Sequence, residues 1–332
     1  MQPIYSVNAE GKDITSLVGG RLLSLSVTDK AGLTSDTFEM LIDDTGDIIE
    51  PPRKGAKIRI SMGYVETGIT FMGTFTVDEV EVSITPQELR ISGKAADMRQ
   101  TLKSQKTRNF DDKTLKDIFG QIAADDGLKL SIDSEIGKTK VDYEPQTEES
   151  NLHLMTRLAE RYGAIAKVGD GKLVVTKRGS AKSASGSAMP TIIITRQHIK
   201  KGRARLKDRS RYGSVSGTWH DQAKAKRQEI KETEGEGPSY SLRQTFQTEA
   251  EARAACRAKL AELQQREADL SFSTQGNPRL SAEAKLQLVG VSRKIDGDWI
   301  VTSVRHTIKG TGGFETQVEA ETPGQRKDKG KK

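Results

Sequence analysis

The chain has one cysteine among its 332 residues, Cys256. No disulfide can close within it, and no cysteine-based metal site can be assembled. Histidine is nearly as scarce. His153, His198, His220 and His306 fall in no H-x-x-x-H or H-E-x-x-H spacing, which removes the helix-borne zinc sites of metalloproteases. There is no G-x-S-x-G elbow, and Cys256 falls on the apolar face of an expected helix, where a thiol packs rather than reacts. Aromatic residues make up only 5% of the chain, too few to build large adhesive pockets. Long hydrophobic runs are missing as well. Ile192–Ile194 is typical of the apolar stretches, whereas a helical bilayer span needs about 20 residues. Residues 1–20 lack the basic start and apolar run of a secretory signal, so the expectation is assembly in a reducing cytoplasm without membrane insertion.

What is present is mainly β. In residues 1–98, Leu23, Leu25 and Val27 alternate with polar residues, as do Phe38, Met40 and Ile42, Ile58 and Ile60, Phe75 and Val77, and Leu89 and Ile91. Alternation with period two marks strands with one buried face, and several short strands at this spacing suggest a small barrel or sandwich. Residues 99–180 change character. Leu115, Ile118, Phe119, Ile122 and Ala123 follow helical spacing, with Asp111 or Asp112 expected as N-cap. Leu152, Met155, Leu158, Ala159 and Tyr162 form a second stripe, capped by Ser150 and stopped by Gly163. This segment reads as a small α+β domain. Residues 181–189, rich in Ser, Ala and Lys, read as a linker. Residues 190–322 return to β with one helix at about 248–267, for which Thr248 and Glu251 offer a capping box. Lys224–Tyr240 reads as a long polar loop. The run Arg326–Lys332 is Lys-rich with no apolar residue, and 323–332 reads as a disordered basic tail.

A weak internal repeat accompanies this pattern. Ala56-Lys57-Ile58 resembles Ala284-Lys285-Leu286, and Phe75-Thr76-Val77 resembles Trp299-Ile300-Val301. Each copy ends in another alternating strand, at Leu89–Gly93 and at Phe314–Ala320.

Candidate chemistry is thin. Gly169-Asp170-Gly171-Lys172 looks superficially like a phosphate loop, but Leu-Val-Val follows the lysine where a helix is required, so it reads as a hairpin turn. The acid pairs Asp43-Asp44 and Asp125-Asp126 sit at a strand end and a helix end, where acids have local uses. The net charge of +7 permits an acidic protein or a nucleic acid as partner. The basic residues are unusually ordered in one place. Lys201, Arg203, Arg205, Lys207, Arg209 and Arg211 occupy alternate positions, so an unbroken strand would carry them all on one face. Such a row repels itself unless it is solvated or meets acidic neighbours, and it is the candidate lining of a channel or contact with a partner. With only Tyr212 and Trp219 nearby, base stacking on single strands is poorly supported.

Gly73-Thr74-Phe75-Thr76-Val77-Asp78-Glu79-Val80 and Ile91-Ser92-Gly93-Lys94-Ala95-Ala96-Asp97-Met98 resemble the phage late control D protein family. So do Thr114-Leu115-Lys116-Asp117-Ile118-Phe119 and Leu158-Ala159-Glu160-Arg161-Tyr162-Gly163-Ala164, in the family's order. The resemblance covers residues 1–322 and extends to the hub part of the type VI secretion spike protein. It implies two tube-like β-barrel domains flanking the small α+β domain, and a homotrimer serving as the baseplate hub of a contractile phage or tailocin tail. The implied partners are the tail tube protein, the central spike protein, other baseplate proteins and the tape measure. The implied location is the tail baseplate of the particle. No cofactor, catalytic residue or specific nucleic acid comes with it. Two rivals remain: a tail-tip peptidoglycan hydrolase and a basic nucleic-acid-binding module.

Overall fold

The period-two segments form strands wherever the alternation is strong, because each strand then buries one row of side chains and leaves the other wet. The computed structural model describes residues 1–95, 100–169, 171–179, 191–206, 212–221, 224–265 and 268–323. The chain opens with β1 (Pro3–Ala9), β2 (Lys12–Asp13) and a short helix α1 (Thr15–Gly19). Then come β3 (Leu22–Lys30), β4 (Thr37–Asp43), β5 (Lys57–Tyr64), β6 (Gly68–Ser83) and β7 (Glu88–Ala95). Val7, Leu25, Val27, Phe38, Met40, Ile58, Ile60, Phe75, Val77 and Ile91 form one buried cluster between them.

The middle segment is the α+β insertion of a mainly β fold. It runs α2 (Gln100–Lys103), β8 (Gln105–Thr114), α3 (Leu115–Asp125), β9 (Lys129–Ile132), α4 (Ser134–Gly137), β10 (Lys140–Ser150), α5 (Asn151–Arg161), β11 (Ala164–Gly169) and β12 (Lys172–Lys177). The stripes of α3 and α5 meet in a core of their own with Ala166, Leu173 and Val175. Ser150 caps α5 by accepting from the His153 N–H. The expected cap of α3 is displaced. Asp111 and Asp112 belong to β8, and Thr114 makes the capping box with Asp117 instead. Strand pairing with β10 carries the chain three residues further before it can turn helical.

The remainder runs β13 (Ile192–Thr195), β14 (Ile199–Leu206), β15 (Ser214–Asp221), β16 (Lys226–Thr233), β17 (Ser239–Phe246), α6 (Glu249–Gln265), β18 (Ala268–Gln275), β19 (Lys285–Val289), β20 (Gly297–Lys309) and β21 (Phe314–Glu321). The Lys224–Tyr240 segment is not the loop its polarity suggested. Lys226–Thr233 pairs antiparallel with β15, burying only Ile230 and setting Glu232 against Arg253 and Arg257 of α6. A strand backed by ion pairs needs little apolar alternation. The sheet β16-β15-β17 and α6 enclose a small core around Val215, Phe246 and Cys256. At the start of α6, Thr248 accepts from the Glu251 N–H, while the Glu251 carboxylate reaches back to the Gln247 N–H.

Both ends of the chain share one sheet, 13-stranded among the described residues, and its two halves repeat each other. One half reads β3-β4-β7-β6-β5-β1, and the other reads β14-β18-β21-β20-β19-β13. The registers agree as well as the order. Lys57 and Ile58 lie opposite Thr76 and Phe75, as Lys285 and Leu286 lie opposite Ile300 and Trp299. The bulge between Val77 and Glu79 recurs between Val301 and Ser303, and that between Leu22 and Ser24 recurs between Ile199 and Lys201. Even the loop bond from the Val77 N–H to the Ala56 carbonyl, 2.9 Å, has its counterpart from Val301 to Ala284, 3.0 Å. Chance likeness between amphipathic strands does not align bulges. The repeat seen faintly in the sequence is therefore a structural duplication. It differs at the outermost strand, since β1 runs antiparallel to β5 whereas β13 runs parallel to β19. The unit from β15 to α6 occupies the connection between β14 and β18, where the first half has only the short β3–β4 connection. The halves join through β20 and β3, with Ser303 to Lys309 paired against Lys30 to Ser24.

Candidate assembly interface

Among the described residues β14 ends the large sheet, pairing with β18 alone. Ile199 and Ala204 turn to the core beside Leu270 and Phe272. Lys201, Arg203 and Arg205 therefore project together from the opposite face and are exposed, as alternation predicts. Lys207, Arg209 and Arg211 lie outside the described residues. Arg203 and Arg205 border a shallow cleft that Asp269, Glu319 and Glu321 also line. Asp269 lies directly opposite Arg205 across the β14–β18 pair, so the row has carboxylates close by as well as its own like charges.

One ionic centre fixes the α+β unit to the large sheet, and a second fixes it to α6. Lys167 on β11 reaches Asp29, 2.5 Å, and Asp36, 3.5 Å, at the end of β3 and in the following loop. Burial pushes the Asp36 carboxyl up to about 6 against the pull of Lys167. The second centre joins α5 to α6. Arg161, whose side chain is only 7% exposed, lies 2.5 Å from Glu144 and 2.9 Å from Glu251. Arg157 also contacts the fully enclosed Glu144, and adds Glu149 at 2.7 Å. Burial raises the Glu251 carboxyl while Arg161 opposes the rise. Sequence reasoning placed Arg161 in a motif but gave it no role. The available signal was a charged residue on the flank of the Leu154–Leu158 stripe, one turn further along.

The residues considered for catalysis take local roles. Asp43 accepts from Thr45, and Asp44 from the Ile48 and Ile49 N–H groups. Asp125 pairs with Lys106 and Arg108, and Asp126 is buried against Asn151. Cys256 is buried beneath β15, and burial together with Glu232 pushes its thiol up to about 11, away from nucleophilic use. His306 is enclosed, with Nε2 donating to the Leu280 carbonyl at 3.1 Å and Nδ1 left to accept from Thr316 at 3.0 Å. Gly169 and Lys172 close the β11–β12 hairpin. Among the described residues no cluster of three or more His, Cys, Asp or Glu side chains could hold a metal ion, and no helix is long and apolar enough to cross a membrane.

A duplicated sheet whose edges are open among the described residues suits assembly. The family model for the phage tail baseplate hub (GPD) matches residues 52–312. The chain belongs to the phage tail baseplate hub family. Among its relatives, the probable baseplate hub protein of Escherichia phage 186 is 30% identical to this hub-family chain, over 97% of the chain and 93% of the relative. Among solved structures, the 43 kDa tail protein of prophage MuSo2 from Shewanella oneidensis superposes with a TM-score of 0.74 at 16% identity, covering 97% of this chain and 98% of that one. The E. coli c3393 protein, a component of the type VI secretion system, superposes with a TM-score of 0.54 at 11% identity, covering 92% of this chain and 74% of that one. At these identities the structural matches speak for the fold alone.

Proposed function

We propose that this chain is the structural hub of a contractile phage-type baseplate, three copies of which join the sixfold tail tube to a threefold central spike. The carrying observation is the duplication inside a member of the hub family. One chain supplies two equivalent six-strand arrangements, so three chains supply six. A ring of six like units is complementary to a sixfold tube on one side, while its accessory units, present once per chain, keep the other side threefold. In this reading each half curls into a tube-like β-barrel, residues 1–98 and 190–322. The α+β segment 99–180 then faces the spike and the rest of the baseplate. The strip at Lys201, Arg203 and Arg205 belongs to the ring, as lining or as a contact between neighbours.

The account assigns no catalysis to the chain. Native mass spectrometry of the chain co-produced with its spike protein tests it. Three hub chains per complex are expected. A single hub chain per complex, or clearing of a peptidoglycan gel by the purified chain that one carboxylate substitution abolishes, would sink the reading.

A further inference from the structure

The junction inside the chain supplies a template for the junction between chains. β20 uses one edge twice: Gly297–Ile300 pairs with β19, and Ser303–Lys309 pairs with β3. Its counterpart β6 uses the same edge once. Gly68–Thr76 pairs with β5, while among the described residues Glu79–Ser83 has β7 on one side and no strand on the other. Likewise β3 is paired on both sides, by β4 and β20, whereas among the described residues its counterpart β14 is paired only by β18. Among the described residues two strand edges are thus left open, and they are the duplicates of two edges joined internally.

We propose that the open edge of β6 pairs antiparallel with the open edge of β14 in a second copy of this chain, in the register of the β20–β3 junction. The proposal rests on the trimeric hub reading above and names the surface through which the copies meet. The bulges fix the equivalences, with Arg305 matching Glu81, His306 matching Val82, and Thr28 and Val27 matching Arg205 and Ala204. The internal pairs Arg305–Thr28 and His306–Val27 become Glu81–Arg205 and Val82–Ala204 between copies. Val304–Asp29 becomes Val80–Leu206, and Thr307–Ser26 becomes Ser83–Arg203.

The side chains at these positions fit a partner rather than water. On the core face, Val82 is 60% exposed and Leu206 57%, although the internal junction buries Val304, His306 and Val27 almost completely. Open edges lined with apolar side chains invite pairing, and proteins that avoid it place charge or proline there. On the opposite face, Arg90 already bridges Glu39 at 2.9 Å and Glu81 at 3.4 Å, two carboxylates to one guanidinium. Glu81 therefore carries uncompensated negative charge toward the open edge. Arg205 stands exposed on the other edge. The register brings these two opposite charges face to face, which favours the pairing. A junction between unlike edges is head to tail, so it repeats from copy to copy and closes into a ring of three where each copy turns by a third of a circle.

The test uses the full chain with its spike protein and with Cys256 replaced by Ala. Cysteine pairs are introduced at Glu81 with Arg205, and at Val82 with Ala204. The control, Glu81 with Ala204, places its thiols on opposite faces of the sheet. Under mild oxidation the in-register pairs should yield covalent species of two and three chains, at least tenfold more than the control. In parallel, R205E should weaken self-association tenfold or more, and E81R/R205E should restore most of it. A complex with three hub chains in which the in-register pairs cross-link no better than the control would overturn the strand junction and leave the hub reading standing. A complex with one hub chain would overturn both.

Discussion

Replacing Arg161 by Met should detach α6 from the α+β unit more than it unfolds either one. The guanidinium is 7% exposed and is held by Glu144 at 2.5 Å and Glu251 at 2.9 Å, so the substitution leaves two acids without this partner in a region from which water is largely excluded. Breaking a buried pair costs about 3–5 kcal/mol. Glu144 retains Arg157, which places the expected cost near the lower bound, about 3 kcal/mol. Every 1.4 kcal/mol is tenfold in an opening equilibrium, so amide hydrogens of α6 should exchange on the order of a hundredfold faster, while β20 and β21 should be nearly unaffected. The loss should shrink in acid. Burial already raises the folded-state pKa of Glu251, and without Arg161 it rises further. The penalty of an ionised Glu251 is thus largest above that pKa, shrinks as pH falls below it, and is gone below the ordinary value of 4.5. Adding Glu251→Leu should recover part of the stability, because removing both partners leaves no orphan there. Exchange within about threefold of the parent protein, with no pH dependence, would refute the assignment of this pair as the clamp.

Gly93→Ala should destabilise the first half of the sheet. A Cβ there would lie 2.1 Å from the Thr76 carbonyl oxygen and 2.7 Å from Phe38, so a cost of about 3 kcal/mol is expected in urea titration, at the upper end for overpacking. Burial pushes His306 below its ordinary value of 6.5, so the folded state binds fewer protons than the unfolded chain. Stability should therefore fall as pH drops below about 6.5, by at most about 1.4 kcal/mol per pH unit, and H306Q should remove that slope in melts between pH 5 and 7. Asp36, raised to about 6, has the opposite sense. Its contribution becomes unfavourable as pH rises from 3.8 to 6, so D36N should raise the melting temperature above pH 6 and have no such effect below pH 4. Reversing Arg203 and Arg205 to Glu should reduce assembled particles in electron micrographs of the producing cells while leaving the isolated chain folded, since both side chains are exposed.

The strands of the large sheet were legible because Phe38, Met40, Ile58, Phe75 and Ile91 alternate with polar residues and are all buried. The helical stripes of α3 and α5 were legible for the same reason at a different period. β16 was not, because ion pairs to α6 stand in for apolar alternation. The cap of α3 was misplaced because pairing between β8 and β10 is a long-range event that no local pattern announces. The duplication left only faint traces in sequence, since burial asks for some apolar residue at each equivalent site rather than a particular one. Ile58 and Leu286 serve equally, as do Phe75 and Trp299. The repeated backbone, bulge for bulge, retains what the side chains have lost. The basic row was visible as spacing, but the carboxylates that share its cleft, Asp269, Glu319 and Glu321, lie on other strands far along the chain. The seam residues Glu144, Arg161 and Glu251 were hidden in the same way, because burial of a charge is decided by which distant elements converge on it.

End-on electron cryomicroscopy of the hub–spike complex shows how the two halves of each chain are arranged around the axis. The account predicts a ring of six similar β lobes at one radius, with accessory density repeated three times outside it. A ring whose lobes number other than six, or in which alternate lobes bear no resemblance to one another, would contradict it.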